Sequence, residues 1–135
     1  MAKKLISACL LGIECRYDGK SELNEQLLKN ADSFIPICPE QLAGLPTPRP
    51  PAEIKGDRVV SKEGVDLTSA YQKGAQEALK MAKLYHCKEA ILKSHSPMCG
   101  CGEIYDGSFS NKLVKGDGIL TQVLKKNGIL VKSSK

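Results

Sequence analysis

The stretch "SPMCGCGEIYDG", residues 96–107, sets two cysteines one residue apart among glycines. The 135-residue chain has six cysteines, and such thiols can pair, hold a metal, attack a substrate or fill a core. No C-x2-C pair occurs, so neither the usual zinc spacing nor a redox dithiol motif is present. The start, "MAKKLISACLLGIEC", has a basic opening and a short apolar run. Ser7, Cys9, Gly12 and Glu14 interrupt that run, and the polar "RYDGKSE" follows it. A first buried strand explains the pattern better than an export signal or a membrane span. The expected location is the cytoplasm, where thiols stay reduced and suit metal binding or catalysis better than stable disulfides.

The elements that must position these thiols follow from hydrophobic patterning. Four short apolar runs read as strands: "KLISA" (4–8), "SFIPI" (33–37), "EAILK" (89–93) and "GILVK" (128–132). None alternates cleanly, as expected of parallel strands covered on both faces, and Pro36 argues for an edge position. Helical patterns lie between them. "SELNEQLLKNA" (21–31) opens on a Ser21 cap and groups Leu23, Leu27 and Leu28. "DLTSAYQKGAQEALKMAKLYHC" (66–87) repeats Tyr71, Ala75, Ala78, Leu79, Ala82 and Tyr85 at helical spacing, with Asp66 or Thr68 to cap it. "GDGILTQVLKKNG" (116–128) reads as a third helix closed by Asn127-Gly128. The fold expected is a single α/β domain over residues 1–135. Its sheet is small, doubly wound and mainly parallel, with helices on both faces. A proline-rich insertion, "LPTPRPPAE", precedes "IKGDRVVSKEG", a candidate hairpin.

On this scheme Cys9 follows the first strand, Cys38 the second, and Cys99 lies in the loop after the third. Parallel strands end on one edge, and ligand sites of open α/β sheets form in the crevice beyond it. Three thiols distant in sequence therefore reach one rim. Cys15 can reach it too; Cys101 is a neighbour of uncertain direction. Cys87 ends the long helix on the opposite edge and reads as a small core residue. Three thiolates suit an iron–sulfur cluster, normally held by four, with one iron left open to a soft substrate atom such as sulfur. Gly100 and Gly102, with Gly12 and Gly44, either offer backbone N–H groups to such an anionic centre or serve as turn residues.

Composition narrows the partners. Hydrophobic residues make 41% of the chain and charged residues 26%, both usual for a globular protein. Aromatic residues make only 4% and Trp is absent, which removes the stacking platforms of single-strand nucleic-acid binding. The net charge of +5 comes from scattered lysines and reads as a solvated surface. Neither a specific nucleic-acid partner nor a membrane is expected. "GDG" before the last helix and the basic balance are weak support for a phosphate-binding domain, since no G-x-G-x-x-G or P-loop pattern is present.

"SACLLGIECRYDG", "CPEQLAGLPTPRPPAEI" and "LKSHSPMCGCGEIYDGSF" together resemble the motifs of the bacterial thiouracil desulfidase family, nearly from end to end. The resemblance implies a [4Fe-4S] cluster held by Cys9, Cys38 and Cys99, the three thiols already placed on one rim. It implies a non-redox reaction in which the free iron takes the sulfur of a thiolated pyrimidine, or a similar small thioamide, and water replaces it. Cys15 belongs to a family motif and is a candidate substrate contact, as are Ser94 and Asp18. Cys101 falls at a variable motif position. Glu40 is the candidate general acid or base, the alternative being a structural carboxylate paired with Arg49 or Arg16. Ser96 is a second catalytic candidate, although Ser94 and Ser96 also suit loop caps. Asp18 and Asp106 both sit in "YDG" turn signals, and His95 reads as a surface-loop histidine. The competing reading is a metal- or sulfur-binding accessory protein without catalysis.

Overall fold

The computed structural model describes residues 3–134. Its centre is a four-stranded parallel sheet of β1 (Lys4–Ser7), β2 (Phe34–Ile37), β5 (Glu89–Leu92) and β8 (Leu130–Ser133). The spatial order is β2-β1-β5-β8. The chain moves outward one way from β1 to β2, then crosses back to β5 on the other side, as in doubly wound sheets. The crevice at that reversal is where such folds bind ligands. Pro36 lies on β2, an edge strand, where its missing N–H costs no ladder bond.

Side chains alternate across the sheet. Leu5, Ala90, Leu92 and Val131 face α3 (Thr68–Leu84) and α4 (Ile119–Lys126), in a core that includes the fully buried Leu120 and Leu124. Each such leucine contributes about 1.5–3 kcal/mol through burial. Ile6 and Phe34 face the other way, with Leu10 of a 3-10 turn (Ala8–Leu11) and Leu27 of α1 (Glu25–Leu28).

The expected helix over 21–31 is a single turn. Asn24, not Ser21, caps it by accepting the Leu27 N–H at 3.1 Å, and Leu23 and Leu28 are exposed. α3 starts at Thr68, whose N–H donates to the Asp66 carboxylate, and ends at Leu84. Tyr85 therefore leaves the apolar face and is 46% exposed. α4 ends as expected at Asn127-Gly128, with Gly128 at φ 76°. The expected hairpin is present as β3 (Ala52–Lys55) and β4 (Arg58–Ser61), turned at Gly56. A second hairpin, β6 (Glu103–Tyr105) with β7 (Leu113–Lys115), was not apparent from the residues. No helix among the described residues is long and apolar enough to cross a membrane.

Candidate functional site

A cavity of about 380 Å³ opens at the carboxyl ends of β1, β2 and β5. Four cysteines line it: Cys9, Cys15, Cys38 and Cys99. Cys9 arrives on the 3-10 turn after β1, and Cys38 is the cap residue of α2 (Pro39–Leu42) directly after β2. Cys15 is brought back by the loop after the 3-10 turn and is only 2% exposed. Its carbonyl oxygen lies 3.7 Å from the Cys38 sulfur.

Cys99 is held by two side-chain hydrogen bonds to its backbone. Its N–H donates to Ser96 Oγ at 2.7 Å, and its carbonyl accepts from Thr121 Oγ1 at 3.1 Å. The first N–H groups of α4, which have no partner within the helix, close on the same loop. Ile119 N donates to Pro97 O and Leu120 N to Met98 O, each at 2.8 Å, and Gly118 N donates to Gly100 O at 2.7 Å. A side chain at Gly118 would sit 2.5 Å from the Met98 carbonyl carbon, so only glycine permits this seam.

The thiols affect one another. Contact with Cys38 lowers the Cys15 pKa, but contact with Cys9 and burial outweigh it, leaving Cys15 pushed up to about 11. Contact with Cys15, then burial and the Glu40 carboxylate, raise Cys38. Burial, then Glu40, raise Cys99, against hydrogen bonds from Ser7 and Ser96. Bringing thiols together here disfavours their ionisation, so a cationic centre among them would be needed to keep several as thiolates. Among the described residues no three donors are arranged for a single metal ion. A cluster of several irons spreads its ligands more widely than one ion does, and four soft donors around one cavity suit it.

Glu40, on α2, is largely buried. Arg49 Nη2 lies 3.4 Å from its Oε2, and the Tyr71 hydroxyl makes a long contact of 3.5 Å with the same atom. Burial raises its pKa above the ordinary carboxylate range, opposed by Arg49 and Tyr71. Arg49, whose side chain is 6% exposed, also donates to Cys15 O at 3.0 Å and Thr47 Oγ1 at 3.0 Å. This one guanidinium thus ties the proline-rich insertion to the Cys15 loop and to Glu40. Gly74 of α3 lets the helix come close, since a Cβ there would stand 2.1 Å from Pro39 O.

Of the residues singled out in the sequence, Glu40, Ser94, Ser96, Cys9, Cys15, Cys38 and Cys99 line the cavity. Asp18 does not. It is exposed, accepts the Lys20 N–H at 3.0 Å and pairs with Arg16, as an Asx turn does. Asp106 likewise accepts from its own turn, at Ser108. Arg16 pairs with Asp18 and Glu22, so Glu40 belongs to Arg49. The glycine N–H groups are engaged within the chain: Gly100 with Ser96 O, Gly102 with Asp117, Gly12 with Cys9 O, Gly44 with Gln41 O. They are turn residues. Cys101 points to Val131 O at 3.8 Å, and Cys87 is buried in the α3 core.

Sequence reasoning missed Ser7 and Lys93. Ser7 Oγ accepts the Lys93 N–H at 2.9 Å, and the Lys93 ammonium donates to Ser94 O at 3.2 Å. Both line the cavity. Both occupy strand carboxyl ends, the rule that selected the cysteines, so the signal was available. It also missed Glu53, Phe109 and Asn111, which the two hairpins bring to the mouth.

Comparison with known proteins places this arrangement in context. The family model described as 2-thiouracil desulfurase matches residues 5–135. The uncharacterised protein YbbK of Bacillus subtilis (strain 168) is 41% identical over 94% of this chain and 92% of its own length. A solved structure of the [4Fe-4S]-dependent thiouracil desulfidase TudS is 41% identical, with a TM-score of 0.93 over 99% of this chain and 91% of that one.

Proposed function

Because the chain belongs to the 2-thiouracil desulfurase family, we propose that it removes sulfur from a thiolated pyrimidine or a similar small thioamide. Water supplies the oxygen: the C=S group and one water become C=O and hydrogen sulfide, with no net change in oxidation state. The observation that carries this reading is the convergence of Cys9, Cys38 and Cys99 from three strand ends on one cavity. These three thiolates would hold a [4Fe-4S] cluster, the cofactor on which the structural relative TudS depends. When bound, it would supply an open, sulfur-seeking iron able to polarise the C=S bond.

The chain's own residues do the rest. Glu40, seated by Arg49 and Tyr71, takes a proton from the attacking water and returns it to the departing sulfur or ring nitrogen. Ser94 and the Lys93 ammonium stand at the β5 exit, where they can bond the polar edge of a pyrimidine. Ser96 spends its oxygen on the Cys99 N–H and positions that ligand. Cys15 lines the same cavity beside the three ligands and is left free to contact the substrate.

A second reading is favoured by one observation: four thiols, not three, line the cavity. Four thiolates could close the site and leave no open iron, as in a metal-carrying accessory protein. Anaerobically reconstituted protein assayed for sulfide release from 2-thiouracil separates the two. Stoichiometric sulfide and uracil support the desulfidase. A loaded protein that releases none, and loses its cluster in Cys15→Ser, supports the closed site.

A further inference from the structure

Among the described residues four non-glycine positions have left-handed backbone, and two of them, Phe109 (φ 56°) and Asn111 (φ 62°), share the loop between β6 and β7. Asparagine tolerates that region, but a bulky phenylalanine is an outlier there. Such outliers persist only where the surroundings fix them. Here the fixing group is Glu53, 8% exposed on β3. Its Oε1 accepts the N–H groups of Gly107 at 3.0 Å and Phe109 at 3.1 Å. The backbone thus wraps one carboxylate oxygen as a small anion nest.

Gly107 completes the seat. It has φ 92°, and a Cβ on it would lie 2.8 Å from Ile54 O and 3.0 Å from Lys55 Cβ. The loop is further shaped by Ser108 N donating to Asp106 and Asp106 N to Lys112 O. Two hairpins with no ladder between them are joined by this latch. The loop it fixes carries Phe109 and Asn111, and both line the cavity that the four cysteines also line.

We infer that Phe109 and Asn111, held in place by Glu53, form a specificity wall that selects a planar heterocycle over an acyclic thioamide. This rests on the desulfidase reading and narrows its substrate class. The phenylalanine ring offers an apolar face for a flat ring to stack on, and the asparagine amide offers both a donor and an acceptor to its edge. Glu53 is a positioning residue, since it acts only through the loop.

The test uses reconstituted protein and two probes, 2-thiouracil and thioacetamide. Phe109→Ala should raise the KM for 2-thiouracil about tenfold, the scale of one base–aromatic stack. Its kcat should change far less, and the KM for thioacetamide should rise much less than that for 2-thiouracil. Glu53→Ala should act in the same direction and speed amide hydrogen exchange at Gly107 and Phe109. Glu53→Gln, whose amide oxygen can still accept both N–H groups, should restore most of the loss. Uracil affinity is measured in parallel. If wild-type protein releases no sulfide while Phe109→Ala still weakens uracil binding, the wall stands and the desulfidase reading falls. If sulfide is released and Phe109→Ala leaves both KM and uracil affinity unchanged, the wall is overturned and the desulfidase reading stands.

Discussion

The two ends of the parallel sheet treat cysteine differently. At the carboxyl end, Cys9, Cys15, Cys38 and Cys99 border a cavity and are seated by polar contacts: Arg49 on the Cys15 carbonyl, Ser96 and Thr121 on Cys99. At the amino end, Cys87 belongs to the buried apolar core that also holds Leu79, Ala82 and Val131, its N–H bonded to Ala82 O. The same side chain therefore borders a polar-framed cavity at one edge and is core filler at the other. What separates the roles is the strand direction that delivers it and the polar frame around it.

The largest expected effect breaks that contrast outright. Cys38→Ser should abolish sulfide release from 2-thiouracil, whereas Cys87→Ser should retain it with a lower unfolding midpoint. The second variant places a hydroxyl in an apolar site, at a cost of about 1–3 kcal/mol. The next concerns the frame. Arg49→Met leaves the Glu40 carboxylate buried without its partner, and urea unfolding should show a loss of about 3–5 kcal/mol. Adding Glu40→Gln should recover much of the stability but none of the activity. A smaller effect is expected at Gly74. Alanine normally stabilises a helix interior by about 0.5–1 kcal/mol over glycine. Here its methyl must displace Pro39, so Gly74→Ala should lose about 1–3 kcal/mol and lower iron loading, because α2 carries Glu40 and is capped by Cys38.

The smallest effect sharpens the other side. Burial raises the Cys87 pKa. The folded chain keeps that proton after an unfolded thiol, at about 8.5, has lost it. This contribution is fully present below about pH 8.5 and is lost as pH rises through the folded value. Urea unfolding of Cys87→Ala should show a shallower fall in stability between pH 8 and pH 10 than the parent, measured with iron removed from both.

The parallel strands and their common edge were legible because fully buried strands are short continuous apolar runs, and edge direction follows from connectivity alone. That sufficed to bring Cys9, Cys38 and Cys99 together. The helix expected over 21–31 was not legible as a single turn. Its cap depends on Asn24 reaching the Leu27 N–H, and Leu23 and Leu28 find no core to face. Arg49 appeared only as one partner for Glu40, because its hold on Cys15 depends on how the proline-rich loop folds back. The β6–β7 hairpin escaped notice because its strands have three residues each, too few for alternation to register. With it went the mouth of the cavity. The glycine N–H groups considered for an anionic centre prove to close local turns, which sequence spacing alone does not reveal.

We propose that three rim thiols, and no others, hold the cluster. Iron and acid-labile sulfide per chain, measured after anaerobic reconstitution of the six single Cys→Ser variants, test it most directly. Loss of the cluster is expected in Cys9→Ser, Cys38→Ser and Cys99→Ser, with about four irons retained in the Cys15, Cys87 and Cys101 variants. Full iron in Cys99→Ser, or loss of the cluster in a Cys87→Ser variant that remains folded, would contradict it.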